Sequence, residues 1–343
     1  MTQSFSSIIE EAREKLGDRL SILAHHYQDD AVVRHADHVG DSLELARKIP
    51  GLDSEYIVFC GVYFMAETAA ILAKPGQKTL IPDATSNCVM SEMAPAKLFK
   101  RVLERLGERG RDCIGLTYVN SSAAIKAVCG ETGGSVCTSA NAERMLAWAL
   151  KQGKRVVFLP DQMLAHNTCD RLGVPPARRR LLDIRQGGEL VDVAAAQNAD
   201  ILIWPGRCVI HSRFKPQQIQ AIKAKEPEAL VVVHPECSPQ TVAAADACGS
   251  TSLIINFAAE APDGAVIYIG TEWNLVDRLA QEYRGKKTIK PLARSLCSNM
   301  AKNTEEKLAR TLRNLAAEPG VTVREDIARP ATLALNRMLE ICA

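Results

Sequence analysis

The chain has 343 residues, with 42 basic and 40 acidic side chains and a formal net charge of +2. That balance gives no reason to expect nucleic acid or an anionic membrane surface as a partner, and no apolar run approaches the roughly 20 residues a membrane-spanning helix needs. Eleven cysteines are many, yet none forms a Cys-x-x-Cys pair and residues 1–15 lack a signal peptide's apolar stretch. The cytosol is therefore the expected compartment, with thiols that stay reduced.

In chain order, short β-branched or apolar runs predict strands at 20–24, 56–60, 78–81, 115–119, 155–159, 201–204, 230–233 and 266–269. Apolar spacing of three and four predicts helices between them, at 30–37, 64–72, 140–150, 216–225, 239–246 and 275–282. Such alternation is that of βαβ units with parallel sheets buried on both faces, so the fold class is α/β. Two stretches, 129–137 and 171–188, read as surface loops, with the arginine run 178–180 solvated. In the tail, Asn303 with Glu306 as its capping-box partner starts one helix, and 332–342 forms another.

Shifting the chain by 209 positions lays residues 25–88 on 234–297 without a gap, with thirteen identities that include His25 on His234, Gly40 on Gly249, Gly61 on Gly270, Pro82 on Pro291 and Cys88 on Cys297. Ordinary composition would give roughly four. A weaker middle copy sets Tyr118-Val119-Asn120 beside His25-His26-Tyr27 and ends at Cys208. The expected architecture is three pseudo-threefold-related α/β/α domains with parallel sheets around a central site. The first would be 1–88 completed by 298–343, the second 89–208 and the third 209–297.

Ligands of open α/β sheets bind beyond the carboxyl ends of strands, where His25, Tyr27, Tyr118, Asn120, His234 and Glu236 would lie. The turns Gly40-Asp41-Ser42, Cys137-Thr138-Ser139 and Gly249-Ser250-Thr251 would cap helices whose free N–H groups attract anions. Three similar units that each end in a cysteine would bring Cys88, Cys208 and Cys297 together. Four thiolates would close a metal site, whereas three leave a position free for water or substrate; buried structural thiols are the plainer alternative. His211, three residues after Cys208, joins the candidates. Cys129, Cys137 and Cys237 have no assigned role.

Several segments together resemble the quinolinate synthase family: 23–28 (LAHHYQ), 40–45 (GDSLEL), 61–68 (GVYFMAET), 82–93 (PDATSNCVMSEM), 118–122 (YVNSS), 138–142 (TSANA), 206–214 (GRCVIHSRF), 234–239 (HPECSP), 249–252 (GSTS) and 297–304 (CSNMAKNT). The resemblance implies a 4Fe-4S cluster held by Cys88, Cys208 and Cys297, and condensation of iminoaspartate with dihydroxyacetone phosphate on the de novo route to NAD. It also implies that His25, Ser42, Tyr118, Asn120, Ser139, His234, Glu236 and Thr251 bind substrate, with Tyr27 and His211 close by. An L-aspartate oxidase or aspartate dehydrogenase would supply the imine.

Glu236 is the expected general acid/base, its pKa raised toward neutrality by a closed cavity, with Tyr27 as a proton shuttle and His211 beside them. Some family members carry a Cys-x-x-Cys-x-x-Cys run ending at the third ligand. Here Pro291 and Arg294 stand at the earlier positions, so no disulfide switch is expected there. His26, where asparagine or tyrosine is frequent, should point away from the cavity. Other uses of the same pattern are an iron-sulfur hydro-lyase acting on a small hydroxy acid, or a non-catalytic metal or electron carrier.

Overall fold

The structure, a computed structural model, describes residues 3–107 and 112–343. Strands β1 (Leu20–His25), β2 (His38–Gly40), β3 (Tyr56–Cys60) and β4 (Lys78–Leu80) form one sheet in the order β2-β1-β3-β4. In the second, β5 (Cys113–Tyr118), β6 (Ser135–Cys137), β7 (Arg155–Leu159), β8 (Arg179–Leu181) and β9 (Ile201–Ile203) take the order β6-β5-β7-β9-β8. The third holds β10 (Leu230–Val233), β11 (Ala247–Cys248), β12 (Val266–Gly270) and β13 (Thr288–Pro291) in the order β11-β10-β12-β13. All neighbours pair in parallel. The fold is α/β in three similar units.

The strands form where the chain is apolar on both sides. Ile22, Leu23 and Ala24, Val156 to Leu159, and Val231 to Val233 are all fully buried, as expected of sheets covered by helices on both faces. In each unit the first strand pairs with a short strand at its carboxyl end: His25 opposite Gly40, Tyr118 opposite Cys137, Val233 opposite Cys248. That pairing sets the hydroxyl turns beside the polar strand ends.

Of the two expected surface loops, the first is corrected, and the second lies at the surface but contains a strand. In 129–137, Cys129 and Gly130 are buried in helix Ala123–Glu131 and 135–137 are the buried strand β6, while Glu131 and Gly133 between them are exposed. A Cβ on Gly134 would lie 1.9 Å from the Gly115 carbonyl oxygen, so only glycine allows this approach. Within 171–188, Arg179–Leu181 forms the edge strand β8, where charge is tolerated. Arg179 in it pairs with Asp170 at 2.6 Å, and Arg178 just before it pairs with Asp200.

The tail divides between two units. Leu308, Ala309 and Leu312 of helix Glu305–Arg313 pack with Ile8, Ile9, Ile22, Val58 and Leu80 of the first. Helix Glu325–Ile341 instead lies on helix Ala123–Glu131 and β6, and Ser135 Oγ donates to Ala334 O at 3.1 Å. The whole of 298–343 therefore does not join the first unit. This helix also starts seven residues before the predicted 332, because Pro330 sits in its second turn and forfeits one hydrogen bond that tertiary packing offsets. The Pro330 carbonyl packs so closely on Gly130 that a Cβ there would approach it to 1.9 Å.

Candidate active site

Each cysteine loop is tied to its own unit by the same bond. The first N–H of the helix after the third strand donates to the carbonyl two residues before the cysteine: Tyr63 to Ser86 at 2.8 Å, Gln162 to Gly206 at 2.8 Å, Trp273 to Ser295 at 2.9 Å. The three loops are also tied to one another. Ser86 Oγ donates to Asn299 O at 2.9 Å, and its repeat partner Ser295 donates to Ile210 O at 3.0 Å. At the matching place in the middle unit a side chain is excluded, since a Cβ on Gly206 would lie 2.5 Å from the Pro160 carbonyl oxygen. Trp204 Nε1 closes the ring there by donating to Met93 O at 2.8 Å.

This ring surrounds a cavity of about 100 Å³. Cys88, Cys208 and Cys297 line it, together with His25, Tyr27, Ser42, Tyr118, Asn120, Ser139, His211, His234, Glu236 and Thr251. Every residue singled out from the sequence is thus on one surface. Cys129, Cys137 and Cys237 are buried outside that lining. His26 faces Glu44 at 3.6 Å rather than the cavity.

The two repeat-related histidines are held identically. His25 Nδ1 accepts the Tyr27 N–H at 3.1 Å, and His234 Nδ1 accepts the Glu236 N–H at 3.3 Å. An Nδ1 that accepts leaves the ring proton on Nε2. Burial lowers both pKa values to about 3, so each ring is a neutral Nε2–H donor near neutral pH. His234 also stacks on His211, with centroids 4.3 Å apart.

Glu236 Oε2 accepts from His211 Nδ1 at 2.6 Å, and both side chains are buried. Burial alone would push the Glu236 carboxyl up. The adjacent His211 ring, with hydrogen bonds from His211 and Tyr118, more than offsets that and holds the carboxyl below its ordinary value. The expectation of a raised value is corrected: Glu236 is a carboxylate, ready to accept a proton. The Tyr27 and Tyr118 phenols move well up, through burial and the Glu236 charge, so both act as neutral hydroxyls.

Thr271 was not among the residues read from the sequence, and it joins two that were. Its Oγ1 bonds the Tyr27 hydroxyl at 2.7 Å and His211 Nε2 at 3.1 Å. A hydrogen-bonded chain therefore runs Tyr27, Thr271, His211, Glu236. Asp161 and Glu272, fully buried at the ends of β7 and β12, were also missed. A polar residue straight after a predicted strand, where the first copy has Val62 and Tyr63, is the signal that aligning the copies offers for Thr271 and Glu272.

The turn hydroxyls serve the cavity more than the helices. Asp41 and Ser250 cap helices Ser42–Lys48 and Thr251–Glu260, leaving Ser42 and Thr251 as first helical residues. Ser139 precedes the Asn141 that begins helix Ala142–Leu150.

Burial pushes the Cys88 thiol up to about 12 and raises Cys208 and Cys297 as well. A free thiolate is disfavoured here, and metal ligation is what would stabilise it. The donor atoms of Cys208, His211 and Glu236 lie within 4.8 Å of one another, so the Cys208 sulfur borders the acid–base pair directly.

Sulfur donors facing a fixed set of proton-transfer groups, on a cavity shared by three α/β units, define an enzyme with a candidate metal-binding centre. Residues 7–340 match the family described as "NadA: Quinolinate synthetase A protein", and the chain belongs to that family. It is 42% identical over 342 residues to the quinolinate synthase of Herpetosiphon aurantiacus, covering 96% of this chain and 90% of the relative. The quinolinate synthase of Acidobacterium capsulatum is 40% identical over 347 residues, covering 98% and 93%, and that of Bacillus licheniformis 42% over 341 residues, covering 96% and 90%. Among solved structures, the E-1-hydroxy-2-methyl-but-2-enyl-4-diphosphate reductase of Plasmodium falciparum aligns over 92% of this chain and 84% of its own. Its TM-score of 0.29 at 14% identity is too low to carry an argument. Among the described residues no helix is long and apolar enough to cross a membrane.

Proposed function

We propose that this chain condenses iminoaspartate with dihydroxyacetone phosphate to quinolinate, releasing phosphate and two waters. The atoms balance with no net oxidation or reduction, so the site must support bond formation, dehydration and proton transfer. The observation that carries this reading is the meeting of three separately anchored cysteine loops with histidine, tyrosine and carboxylate side chains on one cavity. A mere electron or metal carrier has no use for that second set. We take the three units to be 1–88 with 298–324, 89–208 with 325–343, and 209–297.

Cys88, Cys208 and Cys297, which line one cavity, would hold a 4Fe-4S cluster, and that cluster would supply Lewis acidity. The neutral Nε2–H groups of His25 and His234, the Asn120 amide and the hydroxyls of Ser42, Ser139 and Thr251 bind the substrate carboxylates. Ser42 and Thr251 open helices, whose first N–H groups favour anions. Ionised Glu236 takes protons from carbon as the chain of atoms joins and the ring aromatises. His211, donating to Glu236, relays protons toward departing oxygens, and Tyr27 supplies its hydroxyl through Thr271. Tyr118 holds Glu236 in place.

Anaerobic purification followed by iron and sulfide counts and an assay of quinolinate formation tests this reading. Cluster stoichiometry with turnover is expected, and Cys88→Ala should abolish the cluster. A full cluster that dehydrates a hydroxy acid and forms no quinolinate would favour the hydro-lyase, and zinc in place of iron the non-catalytic class. The cytoplasm is the compartment this chemistry fits, with an L-aspartate oxidase or aspartate dehydrogenase as source of the imine.

A further inference from the structure

Two buried acidic side chains reach from helix starts to the cysteine loops in the same way. Asp161 Oδ1 accepts the Leu164 N–H at 2.6 Å, capping helix Gln162–Arg171, while its Oδ2 accepts the Cys208 N–H at 3.0 Å. Glu272 Oε2 accepts the Asn274 N–H at 2.7 Å at the start of helix Trp273–Glu282, while its Oε1 accepts the Cys297 N–H at 3.0 Å. Both side chains are fully buried. One oxygen of each therefore belongs to the helix and the other to a cysteine.

Capping alone does not require this. Asp192 caps helix Val193–Gln197 through the Ala195 N–H at 2.9 Å and touches no cysteine. The first unit lacks the device, because Val62 stands at the helix start. There the tail substitutes: Asn303 Nδ2 donates to Gly61 O at 2.6 Å and to Ser86 Oγ at 3.3 Å, holding the Cys88 loop from a distant stretch of the chain.

We propose that Asp161 and Glu272 are positioning residues that fix Cys208 and Cys297 for metal binding, leaving Cys88 the ligand held by a neutral amide of the tail. This rests on the assignment of the three cysteines to an iron-sulfur cluster. Each acidic side chain holds a ligand's backbone N–H and locks that loop to the rigid end of a strand–helix turn, so the sulfur positions exist before the cluster arrives.

The amide variants separate anchoring from capping. Asparagine caps a helix as well as aspartate does, but an Asp161→Asn side chain has one acceptor oxygen, and its NH₂ would face the Cys208 N–H. In anaerobically prepared holoenzyme, Asp161→Asn and Glu272→Gln should release iron to a chelator roughly tenfold to a hundredfold faster than wild type, the range set by leaving a buried N–H without its acceptor. Their reduced clusters should show altered electron paramagnetic resonance spectra, while the apoprotein melts only a few degrees lower, the effect of one buried N–H left unpaired. Asp192→Asn is the capping control and should release iron at the wild-type rate. If Asp161→Asn does not fold, Glu272→Gln decides alone. Wild type that holds a cluster, beside variants with its release rate and spectrum, overturns the anchoring role only. Wild type that binds no cluster overturns the proposed function and this inference with it.

Discussion

The first and third units share a 209-residue register, a strand order and a histidine locked by the same Nδ1 bond, yet they present different chemistry at equivalent positions. Tyr27 corresponds to Glu236, Val62 to Thr271, and Tyr63 to Glu272. What both copies keep is scaffold and anion-binding equipment: the strand-end histidine, the helix-start hydroxyl, the cysteine. What only the third carries is the proton acceptor, the hydroxyl that links it onward, and an acidic anchor. A second carboxylate at position 27 would face Glu236 across the cavity, and the repulsion would force one of them to stay protonated. Tyrosine there lets Glu236 remain ionised while still supplying a hydroxyl.

The most damaging way to erase that contrast is Glu236→Gln. The amide keeps the shape and cannot take a proton, so turnover should fall by about 10²- to 10⁴-fold, the usual weight of a general base. Iron content and the cluster spectrum should stay at wild-type values, because no cysteine bond is touched. Normal turnover by this variant would remove Glu236 from the proton-transfer scheme.

The shared histidines predict a pH effect of the next size. Their folded pKa values, about 3, lie below the unfolded value of roughly 6.5. Between those limits the unfolded chain binds protons that the folded chain refuses. Their contribution is therefore fully present above about pH 6.5 and is lost as pH falls toward 3, at about 1.4 kcal/mol per pH unit for each ring. Urea unfolding of the apoprotein should show this slope, and His25→Gln with His234→Gln should flatten it equally. Unequal effects of the two single variants would break the equivalence of the copies.

The cysteines, the histidines and the α/β class were legible because glycines, prolines and strand runs punctuate the repeat at fixed positions. The short strands β2, β6, β8, β11 and β13 were not, since two to four residues with polar members carry no period. The final helix went astray because its place depends on Gly130 meeting Pro330, a contact no local pattern encodes. The direction of the Glu236 shift was hidden for a related reason. Burial could be guessed from the sequence, but the His211 ring that overrides it arrives from a different loop.

The finest test of the contrast is Thr271→Val, which gives the third unit the residue the first already has. Valine matches threonine in shape and cannot hydrogen-bond, so the Tyr27 hydroxyl and His211 Nε2 lose their shared partner at 2.7 and 3.1 Å. The His211–Glu236 bond at 2.6 Å survives, and with it the base. Turnover should therefore fall only about tenfold, with KM nearly unchanged, and the apoprotein should lose about 1–3 kcal/mol for the groups left unpaired. Thr271→Ser keeps the hydroxyl and should restore most of the rate. Equal losses in both variants would assign the effect to the missing methyl group's packing, and full activity in Thr271→Val would mean that protons reach His211 without passing Tyr27.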